Sequence, residues 1–271
     1  MRRVLNIAHR GARSLAPENT LAAARKGREL GADLWETDIA VTRDGELIIM
    51  HDDTLKRTTN VESRFPDRAE DPFTRFTLEE IRTLDAGSWF AEADPYGQIA
   101  AGAVTEDELA AFRGKKVPTL REALEFTRGA DWRVNLELKR LPRGMEDYPV
   151  AGRILELIDD LDLDARHVLV SSIRQDWLWE IRERRPDIEV QALLGLLPSD
   201  PIDFGERDFP TYNVRVTRTT ESEVRARAEE GLAVNLYVVD EEDEMRRFAD
   251  AGAAGLITDF PQRLARLLDL P

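Results

Sequence analysis

Short apolar runs alternate with helical patterns along most of the chain. The runs typical of strands lie near 4–8, 33–41, 133–138, 167–172, 188–194, 211–216, 233–239 and 255–258. Apolar positions recur at helical spacing near 18–30, 119–128, 149–160, 174–184, 219–230, 241–250 and 261–269. Strands that alternate with helices indicate βα units and a parallel sheet. Eight strands predict a TIM-like (β/α)8 barrel formed by residues 1–271, a length typical of such barrels.

Two places interrupt this alternation. Asp44-Gly45 is a tight-turn pair, so the second strand either continues into a β-ribbon or is followed at once by another barrel strand. Residues 60–117, called the insertion below, are rich in charge, proline and glycine, and helices are predicted near 77–84 and 105–112. This segment is too long for a βα loop and too short for a domain. We expect a small inserted subdomain that caps the catalytic end of a single barrel domain.

Local side chains add detail to this outline. Thr77, Thr219 and Asp240 each stand at the start of a predicted helix, where side-chain oxygens cap the first N–H groups. Five aromatic residues give the insertion an apolar side, namely Phe65, Phe73, Trp89, Phe90 and Tyr96. We expect these rings to form a small core of the insertion rather than a cage for a cationic ligand.

The composition narrows the range of functions. The chain has no cysteine, which excludes disulfides, thiolate metal sites and a cysteine nucleophile. Its net charge of −15 argues against nucleic acid and anionic membranes as partners, so an anionic substrate needs a local positive pocket. Only five of the 38 basic residues are lysines, beside 53 acidic residues, which fits a salt-adapted cytoplasm or an acidic, GC-rich proteome. Without an apolar signal core or membrane span, we expect a cytoplasmic protein with no stable membrane association and an unknown oligomeric state.

Candidate chemistry lies at the carboxyl ends of the predicted strands, where the active site of a βα barrel is found. Glu36 and Asp38 stand two residues apart on one strand, so their side chains point to the same face. Buried carboxylates that point together repel each other and lose hydration unless a cation or a shared proton compensates. Glu137, near the end of the strand 133–138, adds a third oxygen donor. Three such donors favour one divalent cation, Mg²⁺ or Ca²⁺, over zinc.

Two histidines, His9 and His51, end apolar runs on either side of the acidic pair. They are candidates for a general base and a general acid at a phosphorus centre. Arg10 offers a planar fork for two phosphate oxygens, and Lys139 adds a point charge near the same place. Gly11 would let a bound group approach the backbone. Together these residues indicate a metal-dependent hydrolase of a small phosphoester.

The same residues fall in an ordered series of motifs that extends over nearly the whole chain. The series is His9-Arg10-Gly11, Pro17-Glu18-Asn19-Thr20, Glu36-x-Asp38, Thr42-x-Asp44-Gly45, His51-Asp52-x-x-Leu55-x-Arg57-Thr58-Thr59, Pro118-Thr119-Leu120-x-Glu122, Glu137-x-Lys139 and Thr258-Asp259-Phe260-Pro261. It resembles the glycerophosphodiester phosphodiesterases.

This resemblance implies a TIM-like barrel with a small insertion after the second histidine. It also implies a divalent cation and the hydrolysis of glycerophosphodiesters to sn-glycerol 3-phosphate and an alcohol. The implied roles are those already reached from spacing: acid/base residues His9 and His51, metal ligands Glu36, Asp38 and Glu137, and phosphate contacts Arg10 and Lys139.

Two stretches depart from the pattern of the family. The family usually has Trp-Thr-Val-Asn at the end of a late strand, where this chain has Tyr237-Val238-Val239-Asp240. The frequent Ser-Phe pair after the middle strand is Ser172-Ile173 here. Tyr237 is therefore a candidate for contact with the substrate. We expect an altered preference for the leaving group or the glycerol side rather than lost activity.

Three alternatives stay open on sequence alone. A lysophospholipase D-like phosphodiesterase of the same barrel superfamily would often be secreted and disulfide-bonded. A non-enzymatic phosphoester-binding barrel would lack some acid/base or metal positions, and all are present here. A sugar-phosphate isomerase or aldolase shares the barrel but lacks the histidine pair. The sequence also leaves open the alcohol, the choice of Mg²⁺ or Ca²⁺, which histidine is the acid, and whether water or the glycerol 2-hydroxyl attacks first.

Overall fold

Eight parallel strands close into a barrel in the computed structural model, which describes residues 3–142, 145–197, 199, 202–205 and 208–269. In chain order the strands are β1 (Leu5–Ala8), β2 (Leu34–Val41), β3 (Leu47–Ile49), β4 (Val134–Leu138), β5 (Val168–Ser172), β6 (Glu189–Leu194), β7 (Thr211–Arg215), β8 (Ala233–Tyr237) and β9 (Gly255–Thr258). All but β3 run parallel, and β1 pairs with both β2 and β9, which closes the barrel. The predicted TIM-like (β/α)8 fold is confirmed.

Helices follow most of the barrel strands, and four short helices lie in the insertion. In chain order they are α1 (Leu21–Glu29), α2 (Val61–Arg64), α3 (Leu78–Arg82), α4 (Ser88–Ala93), α5 (Glu106–Phe112), α6 (Leu120–Gly129), α7 (Val150–Asp160), α8 (Gln175–Arg184), α9 (Glu221–Glu229), α10 (Glu242–Asp250) and α11 (Pro261–Leu267). A barrel helix buries one apolar side, as α6 does with Leu120, Ala123 and Leu124. Among the described residues, no helix is both long and apolar enough to cross a bilayer.

The alternation of side chains along β2 separates the apolar core from the site. Trp35 and Ile39 point outward into the core between strands and helices. The Trp35 indole N–H donates to Thr127 Oγ1 at 3.1 Å, so this buried polar group is satisfied. Glu36 and Asp38 occupy the opposite face and therefore point into the barrel. One strand thus anchors the fold and supplies two carboxyl side chains to the barrel interior.

The turn at Asp44-Gly45 joins β2 to β3 as an antiparallel ribbon, in which Ile39 pairs with Ile49. Gly45 has a φ of +82°, which glycine adopts without strain. The first of the two predicted alternatives is therefore right, and β3 is not a barrel strand.

The helix caps agree only partly with the prediction. Thr77 forms the predicted capping box of α3. Helix α9 is capped by Thr220 rather than Thr219. Asp240 does not cap α10, because its Oδ1 accepts the backbone N–H of Asp259 at 2.9 Å. The carboxylate therefore binds the end of a neighbouring strand, and the local sequence cannot reveal this contact.

The insertion contains four short α-helices, α2 to α5, of which α3 and α5 were predicted. Phe76 and Ile81 belong to an apolar cluster that packs against β3. Phe90 and Phe112 belong to a second cluster that packs against α1. Four of the five aromatic residues that we expect to form a core of the insertion lie in these clusters. The fifth, Tyr96, packs against Phe260, which follows the barrel strand β9. That the insertion forms a capping subdomain stays a prediction.

Position 11 requires a glycine because the turn after β1 packs directly against α1. Its φ of +80° is left-handed, and a Cβ atom at this position would lie 2.5 Å from the carbonyl carbon of Ala23. We expected Gly11 to let a bound group approach the backbone, but helix α1 already fills this space. The glycine therefore lets the turn after β1 lie directly on the helix.

We expect Gly11→Ala to lower the free energy of unfolding by about 1–3 kcal/mol, because the change adds backbone strain and a steric clash. Urea unfolding measures this difference. Gly129→Ala is the matched control, since open space surrounds Gly129 at the end of α6, and we expect a gain of about 0.5 kcal/mol. Equal stability of the wild type and Gly11→Ala would contradict the packing argument.

Candidate active site

Three carboxylates converge inside the barrel at the carboxyl ends of β2 and β4. Asp38 is paired in register with Glu137, and Glu36 with Asn135, so the acidic side chains share one face. One oxygen from each of Glu36, Asp38 and Glu137 lies within 4.8 Å of the other two. The structure therefore brings together the three residues that the sequence predicts as metal ligands.

Burial and mutual repulsion dominate the electrostatics of this cluster. Burial raises the pKa of Glu36 well above its usual value, and the charges of Asp38 and Glu137 raise it further. Burial and the charge of Asp38 likewise raise the pKa of Glu137 to about 7. Burial opposes ionisation of Asp38 too, but the nearby charges of Arg10 and His51 hold its pKa below the usual range. Two of the three carboxylates therefore lack sufficient positive charge nearby.

The cluster fits a divalent cation. Glu36 accepts the backbone N–H of Arg10 through Oε2 at 3.0 Å, but its buried Oε1 has no hydrogen-bond partner among the described residues. A buried anionic oxygen without a partner is costly, which indicates that a ligand completes the site. Oxygen donors alone, without sulfur, suit a hard cation such as Mg²⁺ or Ca²⁺.

Arg10 and Lys139 approach the cluster from the side of Asp38. Arg10 is buried, and its Nε lies 3.3 Å from Asp38 Oδ2. Lys139 Nζ lies 3.8 Å from Asp38 Oδ1 and donates to the backbone oxygen of His51 at 2.9 Å. Asn19 Nδ2 also donates to Asp38 Oδ2, at 2.8 Å. Positive charge is thus concentrated on one side of the cluster.

His9 follows β1 and is held by Asp259, which follows β9. Its Nδ1 lies 2.6 Å from Asp259 Oδ1, and its Nε2 lies 3.9 Å from Glu36 Oε2. The other oxygen of Asp259 accepts the hydroxyl of Tyr96 at 2.8 Å. Sequence reasoning gave Asp259 no role, although its place after a barrel strand was a usable signal. Tyr96 carried no such signal, because it lies in the insertion.

His51 has a similar arrangement on the other side of the cluster. Its Nδ1 lies 2.6 Å from Asp52 Oδ1. Asp52 Oδ2 in turn accepts Nε of Arg57 at 2.6 Å. In both histidines a carboxylate binds Nδ1 and fixes the ring, which leaves Nε2 available for proton transfer.

Tyr237 ends β8 with its side chain partly buried. Its hydroxyl donates to the backbone oxygen of Leu194 at 2.8 Å, and its ring packs against an apolar cluster that includes Ile7 and Ile257. Tyr237 lies two residues after Asn235, whose amide bonds Asn213 inside the barrel, so its ring also faces inward. Its contact with the substrate stays a prediction.

Known proteins are similar to this chain in sequence. A model of the glycerophosphoryl diester phosphodiesterase family matches residues 9–263. A glycerophosphodiester phosphodiesterase of Caldanaerobacter subterraneus subsp. tengcongensis is 32% identical over 269 residues and covers 98% of both chains. One from Bacillus subtilis is 31% identical over 265 residues and covers 96% of this chain and 84% of its own.

Solved structures share the fold. A glycerophosphodiester phosphodiesterase of Agrobacterium tumefaciens has a TM-score of 0.71 at 26% identity, covering 98% of this chain and 100% of its own. An Oleispira antarctica phosphodiesterase, solved in complex with the product sn-glycerol-3-phosphate, has a TM-score of 0.77 at 24% identity, covering 99% of this chain and 97% of its own. The match to the family model over residues 9–263 and the two relatives above 30% identity together establish that this chain belongs to the glycerophosphoryl diester phosphodiesterase family.

Proposed function

We propose that the protein is a divalent-cation-dependent glycerophosphodiester phosphodiesterase that releases sn-glycerol 3-phosphate and an alcohol. The observation that carries this proposal is the cluster of three carboxylates beside two histidines that are each bound to an aspartate through Nδ1. Family membership and the product complex of the Oleispira antarctica relative support the same class of substrate.

Glu36, Asp38 and Glu137 would hold the cation, Mg²⁺ or Ca²⁺. When bound, the cation would neutralise negative charge on a phosphate oxygen. Arg10 and Lys139 would contact the other phosphate oxygens from the side of Asp38. Because Arg10 is buried and already held by carboxylates, its orientation is fixed before the substrate arrives.

We assign the general base to His9 and the general acid to His51. Burial, together with the charge of Arg10, lowers the pKa of His9 and favours the neutral imidazole that accepts a proton. The His51 side chain is 32% exposed against 12% for His9, so it lies nearer to solvent, on the side where an alcohol would leave. Asp52 would hold the ring of His51 so that Nε2 can donate a proton to this alcohol.

We expect EDTA to abolish the release of glycerol 3-phosphate from glycerophosphocholine, and Mg²⁺ or Ca²⁺ to restore it. Glu36→Gln should lower kcat/KM by about 100-fold or more, because it removes a charged ligand. Glu229→Gln changes an exposed carboxylate on α9 and is the matched control. Turnover that is insensitive to EDTA would refute the metal dependence.

The assignment of acid and base is tested with a leaving group of low pKa, which needs no general acid. We expect His51→Asn to lose about 100-fold in kcat with glycerophosphocholine and far less with the p-nitrophenyl ester of glycerol phosphate. His9→Asn should lose activity with both substrates. If His9→Asn, and not His51→Asn, is rescued by the p-nitrophenyl leaving group, His9 is the acid and His51 the base.

The raised pKa of Glu137 predicts a pH-dependent stability. This pKa is about 7 in the folded protein and lower in the unfolded chain, so the folded protein binds the Glu137 proton more tightly. The stability gained from this proton is complete at low pH and is lost as the pH rises through about 7. We expect the Tm of the metal-free protein, relative to that of Glu137→Gln, to fall between about pH 5 and pH 8. The gain in Tm on adding Mg²⁺ should grow over the same range, since ligands must be ionised. A constant Tm difference between the two proteins contradicts the raised pKa.

A further inference from the structure

Glu18 is a buried carboxylate that lies outside the three-carboxylate cluster and enters the mechanism above only by holding Arg10. Both of its oxygens accept hydrogen bonds from guanidinium groups. Arg10 donates at 2.8 Å, Arg13 at 2.7 Å, and Arg57 at 2.8 Å through two nitrogens. Burial opposes its ionisation, but these arginines hold the pKa of Glu18 at about 2. Glu18 is therefore an anion around which three cations are arranged.

Arg57 links Glu18 to the His51 side of the site. The guanidinium forms a fork on Glu18 and also donates to Asp52, from Nε at 2.6 Å and from Nη2 at 3.0 Å. Asp52 is the carboxylate that binds His51 Nδ1. One planar side chain thus fixes the position of Asp52 relative to Glu18.

Arg13 links Glu18 to the His9 side. Its Nη2 donates to Glu18, and its Nη1 lies 3.6 Å from Asp259 Oδ1, the oxygen that binds His9 Nδ1. The Arg13 guanidinium also lies over the ring of Tyr96, at 5.5 Å from the ring centre. The second histidine–aspartate pair is therefore positioned from the same carboxylate.

We propose that Glu18 is a positioning residue that couples the two histidine–aspartate pairs, an inference that rests on the proposed function because that function gives both histidines a proton to transfer. The contacts form one continuous path through His9, Asp259, Arg13, Glu18, Arg57, Asp52 and His51.

An acid and a base on opposite sides of one phosphorus centre must be correctly placed relative to each other, and a displacement of about 1 Å can cost about 100-fold in rate. A single buried anion that binds both arginines meets this requirement. Without its charge the three guanidinium groups would repel each other. Glutamine keeps the shape of Glu18, but its amide N–H₂ group would face N–H donors.

The coupling can be read without turnover, because the Nδ1–H protons of His9 and His51 move downfield in ¹H NMR when they are strongly bonded to carboxylates. In the presence of Mg²⁺, we expect Glu18→Gln to change both signals. Arg13→Lys should change only the His9 signal and Arg57→Lys only the His51 signal, because lysine cannot replace a planar fork. These two variants keep the test available where Glu18→Gln fails to fold.

Turnover of glycerophosphocholine gives the second readout. We expect Glu18→Gln to lower kcat about 10- to 100-fold, because Glu18 orients the proton-transfer groups. KM should rise as well, because Glu18 also holds Arg10, the proposed phosphate contact. Arg82→Lys is the matched control, since Arg82 forms a similar fork with Glu122 in another part of the molecule.

Two results would overturn the coupling. One is a folded Glu18→Gln protein with unchanged histidine signals and unchanged kcat. The other is an equal change of both signals in Arg82→Lys, which would show a general effect of losing an ion pair. A wild type that releases no glycerol 3-phosphate, while Glu18→Gln still changes both signals, refutes the proposed function and leaves the coupling in place.

Discussion

The mutual repulsion of three clustered carboxylates, two of them buried and one partly buried, is the constraint on which the rest of the site depends. Glu36, Asp38 and Glu137 stand on adjacent strands in register, so they cannot move apart without opening the barrel. Arg10 offsets the charge of Asp38, and the other two carboxylates keep raised pKa values. The folding of the barrel thus provides the free energy that holds these carboxylates together, and a bound cation would recover part of it.

One turn, between β1 and α1, supplies most of the groups that surround this cluster. Residues 9–20 carry an imidazole, three charged side chains and an amide that all reach the site. Arg10 and Asn19 both adopt left-handed backbone conformations, with φ values of 54° and 53°. Gly11 lies between them and packs on α1. The chain therefore folds back sharply, and one short segment supplies His9, contacts to the carboxylate cluster and part of the ion-pair network.

The barrel and the convergence of the three carboxylates could be predicted from the sequence, because both follow from local periodicity. Alternation of apolar runs predicts the strands, and a spacing of two residues places Glu36 and Asp38 on one face. The partner of His9 could not be read in this way, since Asp259 lies 250 positions further along the chain. The hydrogen bond from Tyr96 to Asp259 could not be predicted, because it depends on the path of the insertion. Local pattern likewise assigned Asp240 to a helix cap, whereas a neighbouring strand end takes up its carboxylate.

The pairing of β1 with β9 has a consequence for the biosynthesis of the enzyme. Asp259 emerges from the ribosome 250 residues after His9. Strand β1 must therefore wait for β9 before the barrel closes and the ring of His9 is held, so contacts of very long sequence separation govern the final folding step. A nascent chain therefore contains Glu36, Asp38 and Glu137 long before it contains the aspartate that fixes the ring of His9.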